Sequence, residues 1–238
     1  MRFSRWQALG NVYLLAERAD GDGPLDAETV RRVCRDGADG VLEVLRTSTD
    51  EVEIVVWNAD GSTAEISGNG TRIAARWLAD RTGSRTVRVR VGEREVNAEI
   101  GPDGDVEQDM GAVEVGPSET VAGIELTPVS VGNPHAVVRG DPAEITRVGP
   151  LLESHERFPE RTNVQVARTE RPGEVTARVW ERGVGETASS GTGAVAVAAA
   201  THDRGEIVVH FPGGDLLVRL GDGRAWLVGS AEAVPNAD

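Results

Sequence analysis

Apolar and polar residues alternate in short bursts along this chain. The clearest are Glu53-Ile54-Val55-Val56-Trp57, Thr86-Val87-Arg88-Val89-Arg90-Val91, Val175-Thr176-Ala177-Arg178-Val179-Trp180, Ile207-Val208-Val209-His210-Phe211 and Leu216-Leu217-Val218-Arg219-Leu220. A period of two puts successive side chains on opposite faces, so each burst reads as a half-buried strand. Helical spacing is rarer: it predicts helices over 26–35, 70–81 and 193–201, with a weaker pattern over 145–155. Strands therefore predominate in a mixed α+β chain. The N-terminus, Met1-Arg2-Phe3-Ser4-Arg5-Trp6, alternates and runs on into Val12-Tyr13-Leu14-Leu15 without an apolar stretch ending in a small-residue cleavage site. It reads as a first strand, and the expected location is the cytoplasm.

An internal echo changes this picture most. Ser67-Gly68-Asn69-Gly70-Thr71 and Ser190-Gly191-Thr192-Gly193-Ala194 each follow a predicted strand and open a predicted helix, and each is preceded by an acidic residue, Glu65 or Glu186. The two elements lie 123 positions apart, about half of the 238 residues, which predicts two similar domains born of duplication. The expected boundary follows the Gly116-Pro117-Ser118 stretch and gives domains 1–116 and 117–238, with the last residues free to return to the first domain.

A helix start leaves backbone N–H groups unpaired and carries partial positive charge, and glycines let an anion approach it closely. One such turn is weak evidence, because a serine N-cap needs no ligand. Two matching turns in a pseudo-symmetric pair of domains would aim at one cleft and hold a carboxylate there. That suits proton abstraction beside a carboxylate, where charge builds on its oxygens in the transition state. Ser67 and Ser190 then occupy the places from which one residue removes a proton and another returns it on the opposite side.

Composition narrows the chemistry. Hydrophobic content of 39% with 27% charged residues is that of a soluble globular chain, and no apolar run has membrane-spanning length, so no membrane partner is expected. A formal charge of −14 makes nucleic acid a poor partner. All 25 basic residues are arginine; without lysine the chain cannot form the Schiff bases of pyridoxal phosphate enzymes or aldolases. The single cysteine, Cys34, excludes an internal disulfide and multi-cysteine metal sites. No cofactor and no metal are expected.

Eleven segments, in order, resemble the diaminopimelate epimerase family: 8–11 (ALGN), 37–40 (GADG), 58–62 (NADGS), 67–70 (SGNG), 109–111 (DMG), 132–135 (GNPH), 161–164 (RTNV), 180–183 (WERG), 185–187 (GET), 190–193 (SGTG) and 212–214 (PGG). The resemblance implies two pseudo-symmetric domains, each with strands wrapped around a central helix, and a cleft between them. It implies cofactor-independent inversion at the α-carbon of diaminopimelate, a small-molecule amino-acid substrate, in the route to lysine and cell wall. By the family pattern Asn11, Asn58, Asn133, Asn163 and Arg182 would bind the distal amino-acid end of the substrate. Glu181 would face the reacting amine, the amides of Gly68, Asn69, Gly191 and Thr192 would hold the reacting carboxylate, and His135 would support an acid/base residue. Some members form dimers, which leaves a homodimer open.

One departure matters. Where the family has two catalytic cysteines, this chain has Ser67 and Ser190. A thiol ionises near about 8.5, and lower at a helix start; a serine hydroxyl is several units less acidic and needs a neighbour to take its proton. Cys34 lies in another segment and reads as a small buried residue at a helix end. Four readings stand open: a natural isomerase working with serines, a diaminopimelate epimerase whose cysteines were both replaced, a non-catalytic amino-acid-binding homologue, and a relative akin to phenazine-pathway isomerases or proline racemase-like dehydratases.

Overall fold

The computed structural model describes residues 1–19 and 21–235. Contacts divide the chain into two compact units: Met1–Gln108, joined by the chain from Gly229 onward, and Asp109–Val228.

In the first unit β1 (Arg2–Ala8) and β2 (Asn11–Glu17) form a hairpin turned by Leu9 and Gly10, both at positive φ. This is the backbone that a two-residue hairpin turn demands. The chain then crosses through α1 (Ala27–Val33), so that β3 (Gly40–Thr47) lies parallel to β2, and returns as antiparallel β4 (Glu51–Asn58). The two-residue β5 (Thr63–Ala64) pairs with β4, and α2 (Gly68–Thr82) carries the chain to β6 (Thr86–Val91), parallel to β4. Antiparallel β7 (Arg94–Ile100) follows, and then β8 (Val106–Ala112), which begins in this unit and carries the chain past Gln108 into the second.

The second unit repeats this succession. After the short β9 (Glu114–Val115) and β10 (Glu119–Val121), β11 (Ile124–Ser130) pairs antiparallel with β12 (Pro134–Arg139). The chain passes through α3 (Ile145–Glu153) to β13 (Asn163–Arg171), parallel to β12, and back as antiparallel β14 (Glu174–Glu181). Then come β15 (Gly185–Thr187) on β14, α4 (Gly191–Thr201), β16 (Gly205–Phe211) parallel to β14, and antiparallel β17 (Gly214–Gly221) and β18 (Arg224–Gly229). Beyond it β19 (Glu232–Val234) pairs with β1 and so belongs to the first unit.

Each unit wraps its strands around one helix. Helix α2 touches β1, β2, β3, β4, β6 and β7; α4 touches β11, β12, β13, β14, β16 and β17. The residues explain why. Helix α4, Gly-Thr-Gly-Ala-Val-Ala-Val-Ala-Ala-Ala-Thr, has no polar face, and a helix that is apolar all round must be covered all round. Its side chains are small enough for strands to close in from every side. Helix α2 buries Ile73, Ala74, Ala75, Trp77, Leu78 and Ala79 within a cluster that takes in Leu15, Leu42, Ile54 and Val89.

The α+β class with a central helix in each half is as expected. The five alternating bursts all lie inside strands, and the weak pattern at 145–155 forms α3. Both central helices start two residues earlier than periodicity predicts, because Ser67 and Ser190 cap them and draw the following glycines into the first turn. The helix predicted to reach residue 35 stops at Val33 and tightens into a 3-10 turn, Cys34–Asp36, closed by Gly37 in the left-handed region. No described helix is long and apolar enough to cross a membrane.

Candidate active site

In the first unit Ser67 stands in extended backbone at the N-cap of α2, and its Oγ accepts from the N–H of Gly70 at 3.0 Å. The amides of Gly68 and Asn69 fall in the first turn, whose N–H groups a helix cannot pair internally. Two side chains of β2 address this helix start. Asn11 and Tyr13, two positions apart and hence on one face of the strand, meet Asn69 and Ser67, also two apart. The Asn69 amide nitrogen donates to Asn11 Oδ1, and the Tyr13 hydroxyl lies 3.2 Å from Ser67 Oγ.

Beneath them is Arg72, fully buried one turn into α2, which donates to Asn69 Oδ1. Burial pushes its guanidinium down to about 10, with Asp105 opposing, so it stays charged. A charged donor on Asn69 Oδ1 fixes that amide with its nitrogen toward Asn11. Asn58, in contrast, turns its amide to Ser62 Oγ at 2.9 Å, inside the turn that closes β4 and β5.

In the second unit Ser190 repeats the cap on α4: its Oγ accepts from the N–H of Gly193 at 3.2 Å, and Gly191 and Thr192 open the first turn. Asn133 donates to Thr192 Oγ1 at 3.4 Å and its Oδ1 meets His135 Nε2 at 3.0 Å. The other ring nitrogen, Nδ1, is 3.0 Å from Gln165 Nε2. These amide orientations put the imidazole proton on Nε2. Burial, helped by the charge of Arg182 and opposed by the Gln165 hydrogen bond, pushes His135 down to about 4, so it is neutral at neutral pH.

Asn163 joins this network: its amide donates to the Pro134 carbonyl at 3.0 Å and its Oδ1 accepts from the Arg182 backbone N–H at 3.0 Å. Glu181 accepts from Thr187 Oγ1. The structure thus gathers Asn11 and Asn69 with Ser67 in one unit, and Asn133, His135, Asn163, Arg182 and Thr192 in the other. His135 spends both ring nitrogens on Asn133 and Gln165.

Sequence reasoning missed Tyr13, Arg72, Gln165 and Glu153. Tyr13 carried a readable signal, being two positions after Asn11 in a predicted strand and the one tyrosine of the chain. The register of the repeat gives another: Asn133 and His135 sit 122 positions after Asn11 and Tyr13, and Ser190 and Thr192 sit 123 after Ser67 and Asn69. Cys34 is a free, buried thiol at the end of α1 among Leu25, Val30, Ala38 and Val41, and burial first, then Asp39, pushes its ionisation up.

The chain matches the family model described as diaminopimelate epimerase over residues 3–116 and 127–234. It is 39% identical to the diaminopimelate epimerase of Thermobifida fusca, over 100% of this chain and 97% of that one. It is 37% identical to that of Desulforudis audaxviator, over 98% and 97%. Among solved structures, a protein described as an epimerase from Pseudomonas aeruginosa superposes with a TM-score of 0.74 at 16% identity, covering 100% of this chain and 98% of the other. A hydroxyproline epimerase from Agrobacterium vitis superposes with a TM-score of 0.71 at 14% identity, covering 98% and 88%. At such identities these two speak for the fold, whereas the family match and the full-length relatives speak for descent: this chain belongs to the diaminopimelate epimerase family.

Proposed function

We propose that this chain is a cofactor-independent isomerase that removes and returns the α-proton of diaminopimelate or a closely related amino acid, with Ser67 and Ser190 as its proton-handling residues. The observation behind this is the identical build of the two helix starts. In each, a serine hydroxyl receives the N–H of the third helical residue, and two first-turn amides follow, from Gly68 and Asn69 or Gly191 and Thr192. Such a start stabilises negative charge on a bound carboxylate and on an oxygen that gives up a proton. Asn11, Asn58, Asn133, Asn163 and Arg182 bind the distal end of the substrate, and Glu181 takes its reacting amine. His135, neutral and tied to Asn133, holds that amide in one orientation. The same reading carries a cytoplasmic setting and leaves a homodimer to a sizing measurement.

Incubating the protein with LL- or meso-diaminopimelate in heavy water tests the proposal: deuterium should enter at the α-carbon. A second reading, a binding protein that has lost catalysis, is favoured by the absence of both thiols. Calorimetric binding without any deuterium uptake would establish that reading and overturn the first.

A further inference from the structure

The chain has one tyrosine, and it is hydrogen-bonded to one of the two serines that stand where the family has cysteine: Tyr13 OH lies 3.2 Å from Ser67 Oγ. We propose that Tyr13 is a positioning residue that takes and returns the proton of Ser67, and so supplies the acidity that a serine lacks in this place. The proposal rests on the isomerase reading given above.

Chemistry favours this pairing. Neither hydroxyl is ionised to a large extent at neutral pH, but a phenol, ionising near about 10, reaches its anion several units more readily than a serine hydroxyl does. Serine acts as a base only when a neighbour accepts its proton as it takes another. The geometry provides for that. Ser67 Oγ already accepts the Gly70 N–H, and the Tyr13 oxygen stands within hydrogen-bond distance of it, where either hydroxyl can donate to the other and a proton can pass between them. Tyr13 is held from behind as well: it sits in the core with Trp6, Ala8 and Leu15, and its ring edge lies where a side chain on Gly40 would be.

The step balances as follows. With Tyr13 as phenolate, the α-carbon C–H bond breaks and its proton goes to Ser67 Oγ, while the Ser67 O–H bond breaks and that proton goes to the Tyr13 oxygen. The C–H electron pair passes into the substrate carboxylate, so one negative charge moves from phenolate to substrate. Reversal returns a proton to carbon. In the second unit His135 holds the register position of Tyr13, but its nitrogens engage Asn133 and Gln165. The device belongs to Ser67 alone.

Because Tyr13 is the one tyrosine, growth on a ring-fluorinated tyrosine alters this position and no other. Deuterium uptake at the α-carbon of diaminopimelate is compared at neutral pH for the natural protein, the fluorotyrosine protein, Tyr13→Phe, Ser67→Ala and the double variant. The expected result is a loss of at least about tenfold for Tyr13→Phe, within the usual reach of a proton-transfer partner. Its calorimetric affinity should change little. The more acidic fluorophenol should exchange faster than the natural protein, and Tyr13→Phe should cost nothing further once Ser67 is alanine. Natural and Tyr13→Phe proteins exchanging alike, or no response to fluorination, would overturn the relay while leaving the isomerase reading intact. No uptake by the natural protein would overturn both.

Discussion

The indole N–H of Trp180 donates to Glu153 Oε2 at 2.7 Å, while Oε1 of the same carboxylate accepts from the Gly183 backbone N–H at 2.7 Å and from Arg161. Glu153 ends α3, and the turn it grips between β14 and β15 begins at Arg182, directly after Glu181 at the end of β14. Glu153→Gln loses the charge and puts a donor where an acceptor is needed. It should destabilise the protein by about 1–3 kcal/mol, the usual cost of a buried partner left unmatched. Calorimetric affinity for the amino acid should fall with it, and urea unfolding beside calorimetry checks both.

Acid should act through the same carboxylate. Burial alone would raise Glu153, but the hydrogen bonds from Trp180, Gly183 and Arg161 together outweigh it and hold the group below the ordinary carboxylate range. A carboxyl with a folded value below its unfolded value of about 4.3 stabilises the fold above that pH, and the contribution is lost as pH falls through the folded value. The gap in melting temperature between natural and Glu153→Gln proteins should be full at neutral pH and close as pH drops below about 4. A gap constant down to pH 3 would remove this role.

His135 should set a second window, higher in pH. Its folded value of about 4 lies below the ordinary histidine value of about 6.5, so on acidification the unfolded chain takes up the proton first. Stability from keeping it neutral is fully present above about 6.5 and drains away toward pH 4, by roughly 3 kcal/mol over the window. Unfolding free energies at pH 5 and 7 should differ by about 2 kcal/mol, the share of the window that lies above pH 5, and by less in His135→Gln.

These two acid-sensitive residues mark what the sequence could and could not convey. Helix starts were legible because a serine cap followed by glycines is a local signal, and the repeat announced itself through Ser67 and Ser190 at equal places in the two halves. Period two revealed β4, β6, β14, β16 and β17, which alternate between core and surface. It did not reveal β12 or β13: Val137 and Val138 are buried in succession, as are Val164, Gln165 and Val166, so alternation is absent. Arg72 and Gln165 read as surface residues in any composition-based scan, and only the wrapping of strands around each helix buries them. Glu153 and Trp180 are 27 positions apart, a pairing that no local pattern encodes.

Restoring thiols should raise activity. Ser67→Cys with Ser190→Cys leaves the capping N–H groups of Gly70 and Gly193 in place to stabilise a thiolate. Deuterium uptake at the α-carbon of diaminopimelate should rise at least about tenfold, a modest share of what a matched base contributes. A double variant that binds the amino acid yet exchanges no faster than the natural protein would count against the serines as proton-handling residues.

Gly40 should prove to be the hidden support of Tyr13. It begins β3, pairs with Tyr13 on one side and Asn58 on the other, and a Cβ there would come within 2.2 Å of the Trp57 carbonyl oxygen and 2.8 Å of Tyr13 Cε1. The carbonyl belongs to the β4 backbone, so moving the phenol ring alone cannot relieve the clash: the β3–β4 ladder must spread at this point, and the ring must shift as well. Gly40→Ala should therefore cost upwards of about 3 kcal/mol of stability, the top of the range for overpacking a filled core, because backbone must move as well as a side chain. It should also lower α-proton exchange toward that of Tyr13→Phe, because a displaced ring carries its hydroxyl off Ser67. Gly140→Ala is the control: the nearest atom to its Cβ is Val166 Cγ1 at 3.8 Å, and both stability and exchange should stay at the natural level. Equal exchange in Gly40→Ala and Gly140→Ala would mean that the Tyr13 ring position does not govern the reaction.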